Sequence, residues 1–364
     1  MRVGLLIYGS LETVSGGYLY DRKLVDFLRC QGDAVEIISL PWRNYARHLA
    51  DNLAADLLQH LLRLPLDVLV QDELNHPSLF YLNQRLRDRA SYPIISLVHH
   101  LRCSELRPAW QNALYQQVER AYLASVDGFI FNSQTTRRAV GVVCPEAAER
   151  PFVVASPAAD HLAPQIGPGQ VVERAHEAGP LRLIFVGNLI ERKGLHLLIE
   201  ALARLPQGAA TLAVVGGRSD RRYAERLEAQ VRRAGLGERV TFYGYLPQPE
   251  LAQQLAWAQV LAVPSSYEGF GIVYLEGMGY GLPALAGEQG AAHEVIRHGE
   301  NGFVLPVHLP AGVERLAEHL RRLAEDRELL ERLARAAWLA YHQHPGWEEM
   351  GQAVRGFLQE RVLR

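Results

Sequence analysis

The stretch Leu181-Arg182-Leu183-Ile184-Phe185-Val186-Gly187-Asn188-Leu189-Ile190-Glu191-Arg192-Lys193-Gly194 decides the fold. Leu181–Gly187, mostly large and apolar, reads as a buried strand, and a short loop then delivers two cations just ahead of a helix at Leu195–Leu205. A strand feeding a helix through a tight loop is the repeating piece of a parallel sheet. In such sheets ligands bind beyond the carboxyl ends of the strands. Arg192 and Lys193 are therefore set to meet an anion, and a diphosphate suits a guanidinium fork beside a movable ammonium. Only two of the chain's 38 basic residues are lysines, Lys23 and Lys193, which sets the lysine of this loop apart; the alternative reading is a solvated basic pair.

The same alternation runs outward in both directions. Upstream, strands are expected at Val3–Tyr8, Ala34–Ser39, Val68–Gln71, Pro93–Val98 and Gly128–Asn132, with helices at Tyr18–Arg29, Ala46–Leu62, Leu79–Arg89 and Pro108–Ala124. Downstream, strands at Ala210–Gly216, Arg239–Tyr243, Val260–Pro264 and Pro283–Ala286 alternate with helices at Arg221–Gly235, Glu250–Ala256 and Ile272–Tyr280. The Pro/Gly-rich run from Ala163 to Pro180 reads as a linker. The expected organisation is a first domain at 1–165, a second at 166–345, and a last helix at 346–364 that turns back onto the first.

Composition narrows the class. The chain has 364 residues, 48% hydrophobic and 21% charged, enough for two cores. A formal charge of −2 gives no field for nucleic acid. Cys30, Cys103 and Cys144 are few and scattered, unlike a disulfide framework or a zinc site. The opening apolar run is too short for a signal peptide and no run approaches a membrane span, so a cytoplasmic protein is expected. The segment Pro41–His48 has a mixed aromatic and basic face, but peripheral membrane contact is not the expectation.

Four more segments carry chemistry. Pro264-Ser265-Ser266-Tyr267-Glu268-Gly269-Phe270-Gly271-Ile272 is a strand end, a glycine loop and a helix start, whose amides suit an anion or a sugar. Glu268 and Glu276 can accept hydrogen bonds from sugar and ribose hydroxyls. Ser15-Gly16-Gly17 forms a glycine turn after the first strand, without a Walker ending or a dinucleotide fingerprint. His99-His100 follows the buried run Ile94–Val98, at a strand's carboxyl end. No Asp-x-Asp stands at a strand end, so nothing calls for a divalent metal.

Taken together, Ser15-Gly16-Gly17, His99, Ser125-Val126-Asp127-Gly128, Asn132-Ser133, Val186-Gly187-Asn188, Arg192-Lys193-Gly194, Gly244-Tyr245-Leu246-Pro247, Glu268-Gly269-Phe270-Gly271, Glu276 and Gly299-Glu300-Asn301-Gly302-Phe303 resemble family 4 of the retaining glycosyltransferases. The resemblance implies an α/β fold of two Rossmann-like doubly wound domains facing a cleft, known as GT-B. It implies that Arg192 and Lys193 bind the donor diphosphate, aided by Gly16, Gly17 and Asn188. Glu276 would hold the ribose, and Tyr245 and Leu246 the base. Glu268 and the amides of Phe270, Gly271 and Ile272 would hold the donor sugar, with His99 beside the point of transfer. A nucleotide diphosphate sugar, UDP-linked before GDP-mannose, would be the donor and an unidentified hydroxyl the acceptor, with no metal and no protein nucleophile.

Three departures from the family pattern stand out: Gly290-Ala291-Ala292-His293-Glu294, Ser156-Pro157-Ala158-Ala159-Asp160, and the doublet His99-His100, of which His99 is nearer the strand. Rival readings are a nucleotide-sugar epimerase or sugar phosphorylase of the same architecture, or a silent nucleotide-sugar-binding protein. Lys193→Ala and Glu276→Ala are expected to cripple donor use and leave the fold intact.

Overall fold

The computed structural model describes residues 1–363, which form two compact units. The first comprises Met1–Pro157 together with the segment from Pro345 onward, and the second Ala158–His344.

The sheet of the first unit has six parallel strands: β1 (Arg2–Tyr8), β2 (Ala34–Leu40), β3 (Val68–Asp72), β4 (Ile94–Val98), β5 (Gly128–Phe131) and β6 (Phe152–Val154), in the order β2-β1-β3-β4-β5-β6. Strands β3, β4 and β5 are buried on both faces, as continuous apolar runs demand. The winding direction reverses between β1 and β3, so the loops after these strands part there and open a crevice. Register pairs Asp72 with Leu97, so the end of β3 lies beside the end of β4.

Strand β6 and the helix Gln134–Val143, capped by Ser133, were not anticipated, because each is short and weakly periodic. The helix expected over Ala46–Leu62 is two, Tyr45–Asp51 and Ala55–Arg63. Buried Asn52 sits in the break, where its amide donates to Pro77 O at 2.7 Å and its carbonyl accepts from Tyr81 N at 2.8 Å. Satisfying those buried groups outweighs helix continuity. Leu79–Arg89 likewise divides into His76–Leu79 and Leu82–Arg87.

The second unit repeats the architecture with β7 (Leu181–Val186), β8 (Ala210–Val215), β9 (Val240–Gly244), β10 (Val260–Val263), β11 (Ala284–Gly287) and β12 (Gly302–Leu305), ordered β12-β11-β10-β7-β8-β9. Its winding reverses between β7 and β10. The presumed linker is not one: Pro168–His176 is a helix, with Pro168 in its first turn, where a missing N–H costs nothing. Val171 and Ala175 are buried, Trp338 Nε1 donates to Ile166 O at 3.1 Å, and the helix lies along Arg327–Gln343. The division between units accordingly falls after Pro157, ahead of the expected 165. The turn Asp160–Leu162 packs on the helix Ile272–Gly279 of the second unit.

The terminal helix Trp347–Val362 belongs to the first unit and packs on the helix Gly16–Cys30. Gly351 lies against the Phe27 ring, where a Cβ would come within 2.3 Å, and Arg355 Nε donates to Asp33 Oδ2 at 2.7 Å.

Candidate functional site

In the second unit the loops after β7 and β10 meet at the reversal point. Gly194 takes φ +71°, and a Cβ there would lie 2.1 Å from Pro264 O, so only glycine lets the loops close. Ser266 N donates to Arg192 O at 2.8 Å, stitching them together. Lys193 Nζ consequently reaches Glu268 Oε1 at 2.5 Å, which also accepts from Ser265 Oγ at 2.5 Å. Arg192 Nη1 donates to Tyr267 O at 2.5 Å and lies 3.7 Å from Glu268 Oε2. The Glu268 backbone is fixed by Gln289 O at 3.2 Å and by Ala291 N at 2.8 Å.

Burial would raise the Glu268 carboxyl, but Lys193 and Arg192 outweigh it and hold the group at about 2. Burial lowers the Lys193 ammonium, with Glu268 offsetting part of the effect. Two cations and one carboxylate leave a net charge of +1, poised for a more highly charged anion. The side chains of Lys193 and Glu268 are 16% and 8% exposed, so the pair is largely covered. Substituting Lys193 therefore bears on the fold as well as on a ligand.

Gly271, at φ +90°, opens the helix Ile272–Gly279, and Phe270 and Ile272 are buried beside it. Amides in the first turn of a helix lack the usual acceptor four residues back; here Tyr274 N donates to Gly271 O at 2.9 Å. On this helix Glu276 Oε1 pairs with His161 Nε2 at 3.2 Å. Neither His161 nor Ser265 was singled out from sequence, since each acquires its role only from a partner far along or across the loop. Asn188 begins the β7 loop, its side chain 3.3 Å from where a Gly217 Cβ would be. Tyr245 and Leu246 follow the edge strand β9, two strands from β7, with Tyr245 exposed. His293 and Glu294 are exposed on the short helix Ala292–Val295.

In the first unit Gly16 and Gly17 start the helix capped by Ser15, whose Oγ accepts from Tyr18 N at 3.3 Å. A Cβ on Gly17 would sit 3.2 Å from His99 Cδ2, so the glycine turn and the β4 end are in direct contact. His99 Nε2 lies 3.0 Å from Asp21 Oδ1, while His100 pairs with Glu105 at 3.1 Å. The two imidazoles thus separate, and His99 is the one held within the crevice of the sheet.

Sequence reasoning missed the acids around it. Asp72 and Glu73 close β3, and with Glu119 they are buried. Burial pushes these carboxyls up to about 7, 8 and 7, and lowers His76 to about 4. The available signal was Gln71-Asp72-Glu73 directly after a buried strand. Two groups in the first unit have donor atoms within 4.8 Å of one another, Asp21–Asp72–His99 and Glu73–His76–Glu119. His99 Nε2 is already bonded to Asp21. His76 bonds through both nitrogens, Nδ1 to Glu73 O at 3.1 Å and Nε2 to Tyr45 Oη at 3.1 Å, so these are hydrogen-bonded clusters. Trp42, half-exposed, covers Gly9 beside them. No described helix is long and apolar enough to cross a membrane.

Residues 171–338 match the family model described as glycosyl transferases group 1. A D-inositol 3-phosphate glycosyltransferase of Streptomyces bingchenggensis is 34% identical over 180 residues, 47% of this chain and 38% of that protein. A GDP-mannose-dependent alpha-(1-6)-phosphatidylinositol monomannoside mannosyltransferase of Mycobacterium tuberculosis is 32% identical over 155 residues, 40% of this chain and 39% of the relative. The matches thus span about two-fifths of these curated relatives. Among solved structures, the sucrose-phosphate synthase of Thermosynechococcus elongatus superposes with TM-score 0.82 at 20% identity, covering 99% of this chain and 98% of the other. Anabaena HepE in complex with UDP-glucose gives 0.74 at 20% identity, covering 99% and 100%. These likenesses establish the fold, two Rossmann-like α/β domains.

Proposed function

We propose that this chain, which belongs to glycosyl transferases group 1 through residues 171–338, moves a hexose from a nucleotide diphosphate sugar to a hydroxyl acceptor with retention at the anomeric carbon. The observation that carries the reading is the Arg192–Lys193–Glu268 group at the reversal point of the second sheet. Its two cations neutralise charge as the bond from the anomeric carbon to the diphosphate oxygen breaks. The acceptor oxygen then bonds to that carbon from the same face, and its proton passes to the departing diphosphate. No metal and no protein nucleophile enter this scheme.

Each remaining residue has a part in it. Glu268 Oε1 is engaged by Lys193 and Ser265, so Oε2 is the oxygen offered to a donor-sugar hydroxyl. Phe270, Gly271 and Ile272 present backbone amides, and Glu276, oriented by His161, holds the ribose. Asn188 lines the diphosphate, and Tyr245 and Leu246 meet the base. His99 is the first unit's contribution to the transfer. A UDP-sugar is the favoured donor, supported by the UDP-glucose in the HepE complex, with GDP-mannose second, supported by the mycobacterial relative. The acceptor is a glycan or glycolipid precursor.

The test is thermal melting against a panel of nucleoside diphosphates and their sugars, with and without EDTA. A ligand at about 100 times its Kd stabilises by about 2.7 kcal/mol. A rise with UDP that EDTA leaves unchanged supports the reading; no rise with any nucleotide overturns it.

A further inference from the structure

The most unusual side chain in the first unit is Asp21. It occupies the core face of the helix Gly16–Cys30, among Tyr20, Leu24, Val25 and Leu28, and is fully buried. An apolar residue would pack there without the cost of desolvating a carboxylate. Its Oδ1 lies 3.0 Å from His99 Nε2, and its Oδ2 has no hydrogen-bond partner. The His99 ring is held from other sides too. Tyr20 meets it edge-on at 5.3 Å, Gly17 lies against Cδ2, and the backbone carbonyl of His99 accepts from Asn132 Nδ2 at 2.8 Å. A ring so confined has one nitrogen committed to Asp21, leaving Nδ1 for a ligand.

We propose that Asp21 is the positioning residue for His99, fixing its imidazole as a charged donor that offers Nδ1–H to an oxygen of the transferring sugar or of the acceptor. This rests on the transferase reading above and extends it by giving His99 a chemical form: a hydrogen-bond donor, never the base. The acceptor's proton must then leave by the diphosphate. The charged groups facing the ring are Asp21 from the helix, Asp72 from the end of β3 and Glu73 from the turn after it. Burial disfavours the imidazolium, but Asp21 in direct contact, with lesser help from Asp72 and Glu73, outweighs it and raises His99 above its ordinary value.

The experiment is a nitrogen-15 NMR titration of the full chain labelled at histidine, with the His99 signal assigned by its loss in His99→Gln. Wild type is expected to titrate above about 6.5, with both ring nitrogens protonated at neutral pH. Asp21→Asn should lower that midpoint by about a unit or more, since burial then acts with less opposition. In parallel, UDP release from UDP-glucose with water as acceptor should fall about tenfold to a hundredfold in Asp21→Asn and in His99→Gln. The double variant should fall no further, and the UDP-induced rise in melting temperature should persist. A His99 midpoint unmoved by Asp21→Asn, or turnover lost in His99→Gln but intact in Asp21→Asn, overturns the proposal. If Asp21→Asn does not fold, a wild-type midpoint below about 6.5 overturns it. A wild-type chain that releases no UDP counts against the transferase reading, while the titration still decides the role of Asp21.

Discussion

Replacing Lys193 by alanine removes one half of a buried ion pair and leaves the other in place. Lys193 Nζ and Glu268 Oε1 are 2.5 Å apart, and both side chains are largely covered. Stranding one partner of such a pair costs about 3–5 kcal/mol. Ser265 still donates to Glu268 and Arg192 remains 3.7 Å away, so the low end applies, about 3 kcal/mol. For a unit the size of Ala158–His344 each kcal/mol moves the midpoint about 2–4 °C, giving a drop of roughly 6–12 °C. Adding Glu268→Gln to Lys193→Ala removes the stranded charge and should recover a good part of that loss. Calorimetric melts of wild type, both single variants and the double complete the cycle. A Lys193→Ala midpoint within about 2 °C of wild type, or a double variant no more stable than Lys193→Ala, would refute the argument.

Other expectations follow from the same geometry. Gly194→Ala forces a Cβ to within 2.1 Å of Pro264 O at a φ of +71°, so it should destabilise the second unit by about 1–3 kcal/mol or more, read as a lower melting temperature. Gly17→Ala places a methyl 3.2 Å from the His99 ring and should cut UDP-glucose turnover about tenfold with little change in melting. Asp72, Glu73 and Glu119 titrate at about 7, 8 and 7 when folded, above their unfolded values near 4. The folded chain therefore binds more protons between about pH 5 and pH 8, and stability should fall as pH rises through that window. Melting curves in Glu73→Gln should show a shallower slope; an equally steep one would count against the assignment. His161→Gln should weaken UDP binding measured by calorimetry, since Glu276 loses its partner.

The alternation of buried strands and helices was legible because a parallel sheet covered on both faces needs continuous apolar runs, and these stand out at β1, β4 and β7. The cationic loop was legible for a similar reason: Arg192 and Lys193 follow such a run immediately. What escaped reading depends on partners distant in sequence. Glu268 meets Lys193 across 75 residues and His99 meets Asp21 across 78, and no local pattern announces either. Asn52 interrupts a helix only because the backbone of Pro77 and Tyr81 needs it. Pro168 looked like a linker residue because proline marks both loops and first helical turns, and only the buried Val171 and Ala175 tell the two apart.

The first unit is discontinuous in the chain, leaving at Pro157 and resuming at Pro345, whereas the second is one uninterrupted stretch. A ribosome therefore finishes the second unit while the first still lacks its closing helix. During that interval the faces that will receive Val354, Phe357 and Leu358 have nothing to cover them. Order of synthesis makes a later-made helix the clasp of an earlier-made sheet. The first unit thus becomes complete only after the second has been translated.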